Sequence, residues 1–228
     1  ARVMSFSFLV FLGVPILAPS IGQLIMLVGP WRWIFAGLGL VGVCLIVWAA
    51  LRLPETLKPE DRLPIQVKRL VSAYKIALTD RTAVGYTLAM TAITGALFGF
   101  INSSQQIFAD VFHAEAAFPA IFALIAGGIA VASIVNTRLV VKLGSRRISH
   151  TALIGFTSIA AIHAGVAISG HESIWTFAVL QTLTMFCFGL IAGNFGSMAM
   201  ETMGHIAGTA ASLVTAISTI GAAMPQLA

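Results

Sequence analysis

Seven long stretches of the chain contain no charged residue, and this spacing limits the folds open to it. The stretches cover residues 3–31, 33–51, 82–109, 116–137, 148–171, 173–200 and 202–228. A helix needs roughly 20 apolar residues to cross the hydrocarbon core of a bilayer. The backbone must satisfy its own hydrogen bonds there, and the stretches lack the alternating pattern of membrane-barrel strands. The sequence therefore predicts an all-α integral membrane protein with seven transmembrane helices.

Composition excludes the soluble alternatives. Of 228 residues, 58% are hydrophobic and 9% are charged, whereas soluble domains carry roughly 25% charged residues. Neither a soluble cytoplasmic enzyme nor a disordered chain fits these values. Cys44 and Cys187 both lie in apolar stretches, where a cysteine usually serves as a small buried apolar side chain.

The net charge of +5 reflects membrane topology. If the seven spans alternate in direction, 12 of the 13 Lys and Arg residues fall on one side, and Arg32 alone lies on the other. Positive residues concentrate on the cytoplasmic side of membrane proteins, so the crowded side is predicted to be cytoplasmic. The expected partner of the basic residues is therefore the lipid bilayer, and we do not expect the protein to bind nucleic acid.

A polar segment divides the chain. Pro54, Pro59 and Pro64 stiffen its first half, and apolar residues at helical spacing follow, a pattern typical of an amphipathic helix. We predict two spans in residues 1–52, a cytoplasmic linker in 53–81 and a bundle of five spans in 82–228. The chain begins with Ala and stops inside an apolar run, so we expect a piece of a longer protein.

Polar side chains within two spans are candidates for a substrate cavity. Asn102, Gln105 and Gln106 belong to five consecutive polar residues that cover more than one helical turn. That helix either ends at the outer interface or opens onto a wet cavity. Gln181 and Asn194, with Thr182 and Thr184 on the same span, either contact a ligand or bridge helices. His163 lies alone in an apolar span and is expected to be structural, although it could titrate.

The first span carries Gly13 and a stripe formed by Pro15, Ala18, Pro19 and Gly22. Small residues let a neighbouring helix approach closely, and each proline bends the helix. The stripe is either a kinked packing surface or a hinge and seal between two moving bundles. The pairs Gly95–Gly99 and Gly189–Gly193 predict further close helix packing.

A tight basic turn joins two spans at residues 138–147. Its bases are Arg138, Lys142, Arg146 and Arg147, and Gly144 permits a positive φ. The turn is either a cytoplasmic gate or plain topological charge.

Several kinds of chemistry are missing. No Asp or Glu lies at the centre of a span, where a retained acid would indicate a proton or ion path. No lysine follows Lys142, which disfavours a retinal protein, and neither HExxH nor GxSxG is present. The sequence predicts no enzyme activity, no metal site and no cofactor.

The layout of two spans, a charged linker and five spans resembles the major facilitator superfamily. Residues 13–23 look like the helix-5 antiporter motif of drug/proton exporters. Residues 31–35, 53–57, 102–109 and 204–212 are similar to the Bcr/CflA branch, the bicyclomycin and chloramphenicol efflux proteins. The basic turn resembles the superfamily's loop motif, but Thr137 and Val141 stand where that motif has Gly and Asp, which leaves the gating partner open.

The resemblance implies a truncated major facilitator fold, with the seven spans as helices 5 to 11 of 12. It implies proton-coupled export of small amphipathic drugs across the bacterial inner membrane, powered by the proton gradient and with the coupling acids in the missing helices 1–4. The full-length protein is expected to be a monomer. A sugar or metabolite carrier of the same superfamily is the alternative.

Overall fold

A computed structural model of the chain describes Ala18 and residues 21–54, 67–201 and 203–223. Within these ranges the backbone forms helices and turns, with no strand. Residues 21–28 are helical, and α1 follows at Arg32–Arg52. None of the 21 residues of α1 is buried, although the helix is almost purely apolar. A helix that is apolar on every side is typical of a membrane span.

Six further helices follow. They are α2 (Val67–Thr79), α3 (Arg81–Gln106), α4 (Phe118–Leu143), α5 (Ser145–Ile168), α6 (Ile174–Ala199) and α7 (Ala207–Ala223). A π-helical turn at Ile107–Val111 extends α3, and short 3-10 turns at Glu115–Ala117 and Gly204–Ile206 precede α4 and α7. The predicted amphipathic helix in the second half of the linker is α2.

Local residues set the helix starts and turns. Asp80 caps α3 by accepting a hydrogen bond from the Ala83 amide at 2.9 Å, and Ser173 caps α6 by accepting one from Thr176 at 3.2 Å. Such caps satisfy backbone donors that a helix start leaves free. Gly144 and Gly170 have positive φ values of 79° and 72°, and they form the turns on either side of α5. Their positions define the Gly144 end and the Gly170 end of the bundle.

Helix α6 lies at the centre of the bundle. It packs against α3, α4 and α5, while α7 packs on α3 and α2 lies against α7 and α3. Eleven of the 26 residues of α6 are buried. Because α3 and α5 run in one direction and α6 runs in the other, the starts of α3 and α5 meet the end of α6 at the Gly144 end.

Glycine brings α4 and α6 together. A Cβ atom built on Gly189 would lie 2.7 Å from the Ala132 Cβ and 2.9 Å from the Ile129 carbonyl oxygen. A Cβ on Gly128 would lie 3.0 Å from the carbonyl oxygen of Thr182. Gly193 has nothing within 4 Å of such an atom. The predicted close packing is therefore present at Gly189 and not at Gly193.

An aromatic cluster fills the bundle at the Gly170 end. Phe108, in the π-helical turn, is 1% exposed, and its ring centroid lies 5.6–5.8 Å from those of Phe112, Phe118 and Phe177. Edge-to-face contacts at this spacing stabilise aromatic pairs beyond the area that they bury. The cluster fixes α3, α4 and α6 relative to one another next to the cavity described below.

Five of the seven predicted spans are confirmed as helices long and apolar enough to cross a bilayer. They are Arg32–Arg52, Arg81–Val111, Glu115–Leu143, Ser145–Ile168 and Ile174–Ala199. Most of the first predicted span lies outside the described residues. The last is represented by α7, which has 17 described residues; residues 224–228 lie outside the description.

The predicted basic loop is wrong in its extent. Gly144 alone separates α4 from α5, so Arg138 and Lys142 belong to α4, and Arg146 and Arg147 to α5. Lys and Arg are good helix formers, and their long side chains keep the charge in water while the backbone stays helical. Charge therefore marks the membrane boundary here without marking the helix end.

Candidate functional site

The polar stretch at the end of α3 divides between two surfaces. Asn102, Gln105 and Gln106 are exposed, whereas Ser104 is buried and donates a hydrogen bond to the Ile101 carbonyl oxygen at 3.0 Å. The helix continues through Gln106 into the π-helical turn. Three of the predicted cavity residues therefore lie together on an open face of α3 near the Gly170 end.

A cavity of about 410 Å³ opens between α3, α5 and α6 at the Gly170 end. We call it the His163 cavity. Its walls are mainly small and apolar, with aromatic rings from all three helices. Its polar side chains are those of Ser103, His163, Glu172, Gln181 and Thr184. Cavities of roughly 300–1,000 Å³ with few polar groups are typical small-molecule sites.

His163 and Glu172 form a hydrogen-bonded pair in this cavity. The Nε2 atom of His163 lies 2.5 Å from Oε1 of Glu172, and the two side chains are 15% and 17% exposed. One proton must lie between these atoms, because two facing lone pairs would repel each other. The ring of His163 also packs edge-on against Phe177, with centroids 5.3 Å apart. The histidine is therefore held on two sides.

Sequence reasoning found His163 but not its partner. Glu172 lies in the turn between α5 and α6, nine residues along the chain, and the positive φ of Gly170 folds that turn back over the end of α5. A histidine within two or three turns of a helix end, followed by an acid in a short connection, was the signal available. Helix spacing alone does not show that this turn brings Glu172 back to His163.

Gln181 lies on the His163 cavity and is 8% exposed. The neighbouring hydroxyl of Thr184 donates to the Leu180 carbonyl oxygen at 2.8 Å. That proton is used within α6, so Thr184 offers the cavity mainly acceptor capacity. The structure thus places one of the two predicted α6 residues in a cavity.

Asn194 lies elsewhere. Its Nδ2 atom donates to Oδ1 of Asn136 on α4 and to the Leu190 carbonyl oxygen, both at 2.8 Å, and it is 5% exposed. Of the two expectations for this residue, the structure has the bridge between helices. Gln181 and Asn194 are not brought together.

A second, larger cavity of about 970 Å³ opens at the Gly144 end. Its lining includes Arg81, Arg146 and Glu201, together with Tyr86, whose hydroxyl lies 3.3 Å from Nε2 of His150. Sequence reasoning missed this cluster, because its members come from α3, α5 and the turn after α6 and share no motif. The bundle therefore has polar cavities at both ends.

The predicted gate residues are dispersed along two helix ends. Arg138, Lys142, Arg146 and Arg147 are all exposed, and of these only Arg146 lines the Gly144-end cavity. A base in the last turn of α4, as at Lys142, suits the helix dipole, whereas bases in the first turn of α5 oppose it. Arg146 and Arg147 therefore do not stabilise α5 through its helix dipole.

The predicted hinge stripe is described only in part. Ala18 is exposed, and a Cβ on Gly22 would lie 4.0 Å from Cδ1 of Ile34. Gly13, Pro15 and Pro19 lie outside the described residues. In the described part of the chain, no three His, Cys, Asp or Glu side chains are grouped as a metal site would require.

Comparison with known proteins identifies relatives over most of the chain. The family model described as Major Facilitator Superfamily matches residues 1–224. The chain is 28% identical over 206 residues to the "Uncharacterized MFS-type transporter YdgK" of Bacillus subtilis, covering 88% of this chain and 50% of that protein. It is 28% identical over 229 residues to the "Bicyclomycin resistance protein homolog" of Haemophilus influenzae, covering 100% and 57%.

A third relative is the "Multidrug resistance protein MdtL" of Salmonella heidelberg, 27% identical over 192 residues, which covers 84% of this chain and 46% of that protein. The chain thus spans about half the length of the curated relatives it matches. No solved structure shows significant similarity to it.

Proposed function

Because the chain belongs to the major facilitator superfamily, whose members are transporters, we propose that it forms part of a proton-coupled exporter of small amphipathic drugs. The observation that carries this proposal is the His163 cavity, about 410 Å³ in volume, with aromatic walls and a few polar groups. Such a cavity suits a compact amphipathic molecule. Two relatives with names that refer to bicyclomycin and multidrug resistance support the same substrate class.

The arrangement of cavities supports a mechanism of alternating access. Polar cavities lie at both ends of one bundle, and α6 runs between them. Rocking of one helix bundle against another around a central site is the general transport motion of proteins built from helix repeats. We place the Gly144 end on the cytoplasmic side of a bacterial inner membrane, because this end carries most of the Lys and Arg residues.

Individual residues receive roles within this proposal. Asn102, Gln105 and Gln106 form the polar face that meets the substrate path, and Gln181 binds substrate by hydrogen bonds. The stripe Gly13, Pro15, Ala18, Pro19 and Gly22 acts as the seal between bundles. Arg138, Lys142, Arg146 and Arg147 flank the cytoplasmic opening around Gly144. Protons drive export without a bound cofactor, and the full-length protein acts as a monomer.

A sugar or metabolite carrier is the second candidate. The exposed amides of Asn102, Gln105 and Gln106 favour it, because amide groups donate and accept hydrogen bonds as hydroxyl-rich substrates require. The two candidate functions make different predictions: only the drug exporter should move protons across the membrane when a drug is added.

The test uses the complete gene product in inverted membrane vesicles. The vesicles are energised, and the internal pH is followed while chloramphenicol and other amphipathic drugs are added. Drug-triggered proton release, absent from vesicles without the protein, is the expected result. If well-expressed protein releases no protons across a broad drug panel, the export proposal fails and the carrier is tested with labelled sugars.

A further inference from the structure

The Gly144-end cavity carries net positive charge. Arg81 at the start of α3 and Arg146 in the first turn of α5 line it, and Glu201 is the only acid among its described lining residues. Counting histidine as neutral, the lining therefore has a net charge of +1. Among the described residues, neither guanidinium is paired with a carboxylate. A cavity of about 970 Å³ thus presents one positive charge that the protein leaves unbalanced.

The polarity of this cavity falls with depth. Arg81 and Arg146 lie at its rim, whereas Ala89, Leu153 and Phe195 line its inner part. At roughly 1.5 Å per residue, Ala89 lies about 12 Å from Arg81 along α3, and Leu153 lies about 10 Å from Arg146 along α5. Phe195 of α6, which is 1% exposed, forms part of the apolar floor. A ligand that fills the cavity therefore needs a charged end and an apolar end.

Tyr86 and His150 lie between the rim and the inner part. The Tyr86 hydroxyl lies 3.3 Å from Nε2 of His150, and the centroids of the two rings lie 5.1 Å and 6.3 Å from that of Phe195. Tyrosine rings concentrate where a membrane changes from head groups to hydrocarbon. The pair therefore places the rim at the level of the lipid head groups and the floor at the level of the acyl chains.

A phosphodiester group matches the rim. Its single negative charge balances the net charge of the lining, and guanidinium groups bind phosphate oxygens with two parallel hydrogen bonds. Thr82 and Ser145 add hydroxyl groups to the same part of the lining. Basic pockets between transmembrane helices on the cytoplasmic side are known to bind phospholipid head groups. Free phosphate has the same chemistry at the rim but would leave the apolar floor in contact with water.

We propose that the Gly144-end cavity binds one anionic phospholipid of the adjacent leaflet. Its phosphodiester lies between Arg81 and Arg146, and its acyl carbons pack against Leu153 and Phe195. Glu201 repels the phosphate, so the site takes a singly charged head group in preference to a multiply charged one. The lipid site goes beyond the proposed transport function and does not depend on it.

Plain topological charge is the competing explanation for these bases. Arg146 and Arg147 are neighbours in the first turn of α5, and both are exposed. Only Arg146 lines the cavity. Topological charge treats the two residues alike, whereas a lipid site in the cavity distinguishes them. Arg147 is therefore the matched control for Arg146.

The experiment titrates the complete gene product in detergent with phosphatidylglycerol and counts bound lipids by native mass spectrometry. Phosphatidylcholine, which has the same phosphodiester but no net charge, and inorganic phosphate are titrated in parallel. We expect saturable binding of one phosphatidylglycerol, about fivefold or more tighter than phosphatidylcholine, the effect of one charge contact at a lipid surface. Inorganic phosphate is expected to bind more weakly than either lipid, because it has no apolar part.

Four variants test the residues. Arg146→Gln is expected to weaken phosphatidylglycerol binding about fivefold, and Arg147→Gln to leave it unchanged. Glu201→Gln is expected to strengthen binding about fivefold, because it removes the one repulsive charge. A Cβ atom at Gly85, in the lining, meets nothing within 4 Å. Gly85→Leu therefore fits the fold but fills the space that the lipid needs, and it is expected to abolish binding.

The control for the filled cavity is Gly165→Leu, at an exposed position of α5 that is also in open space and outside the lining. It is expected to bind lipid as the unchanged protein does. If Arg146→Gln does not fold, the comparison of Gly85→Leu with Gly165→Leu decides the matter.

Three results would overturn the proposal: equal affinity for the two lipids, equal effects of Arg146→Gln and Arg147→Gln, or binding of inorganic phosphate as tight as that of phosphatidylglycerol. The third result would identify a site for free anions. The vesicle assay for drug export is independent of all three. Its failure would remove the export proposal and leave the lipid site standing.

Discussion

Asn136 of α4 and Asn194 of α6 exchange hydrogen bonds through their side-chain amides although 58 residues separate them. One Nδ2–Oδ1 distance is 2.8 Å and the reciprocal one is 3.4 Å. The pair lies in the half of the α4–α6 interface nearer the Gly144 end. Each amide satisfies the other where neither water nor lipid would. The pair therefore links α4 to α6 through side-chain hydrogen bonds.

Removing one amide is expected to lower the stability of the bundle. Asn194→Ala should reduce the free energy of unfolding by about 1 kcal/mol, because Asn136 loses a partner inside the bundle. Thermal unfolding of the purified protein in detergent measures the change. Gln106→Ala, which removes an exposed amide, is the matched control. Additive effects of Asn136→Ala and Asn194→Ala in a double-mutant cycle would contradict the coupling.

Gly189→Ala is expected to separate α4 from α6. The new Cβ would lie 2.7 Å from the Ala132 Cβ, and relief of such overpacking costs about 1–3 kcal/mol. Gly193→Ala is the comparison, because open space surrounds that position and alanine favours the helix. Unfolding midpoints of the two variants should move in opposite directions, and equal shifts would mean that the close approach is unimportant.

Gly144→Ala is expected to strain the turn between α4 and α5. Nothing within 4 Å would touch the added methyl group, but the backbone has φ 79° and ψ 147°, a region almost reserved for glycine. Holding another residue there costs about 1–3 kcal/mol. Gly204→Ala, also in open space but without a positive φ, serves as the control. Equal stability of both variants would show that the turn relaxes freely.

Gln181→Ala is expected to reduce drug-triggered proton release in vesicles. Loss of one hydrogen bond to substrate, worth about 0.5–1.5 kcal/mol, corresponds to a rise of about twofold to tenfold in the drug concentration that gives half-maximal release. Thr157→Ala on the exposed side of α5 is the comparison, since its hydroxyl only bonds the Leu153 carbonyl oxygen. A Gln181→Ala protein with the same concentration dependence as Thr157→Ala would remove Gln181 from the substrate path.

Charge spacing predicts the spans because lipid excludes charge wherever a helix crosses it. The same signal misplaces the turn at residues 138–147, since Arg138 and Lys142 stay helical outside the apolar region. Helix ends follow backbone conformation, and Gly144 marks this one. A positive φ is available to any glycine, so the sequence alone does not say which of its 21 glycines forms a turn.

Pairs between helices are harder to predict. Asn194 and His163 are both visible as polar residues in apolar spans, but their partners depend on how two helices are rotated and shifted against each other. Asn136 reaches Asn194 because α4 and α6 pack closely at Gly189. Glu172 reaches His163 because the turn at Gly170 folds back on α5. The rotation and shift of one helix against another depend on the tertiary structure, and residue periodicity does not predict them.

The one-residue connection at Gly144 has a mechanical consequence. A single residue reaches only about 3.6 Å even when fully extended, so α4 and α5 have almost no slack at their shared end. If α4 moves along the membrane normal, the connected end of α5 must move with it. The chain from Met200 to Ile206, between α6 and α7, is seven residues long. That connection leaves α6 and α7 more slack than Gly144 leaves α4 and α5.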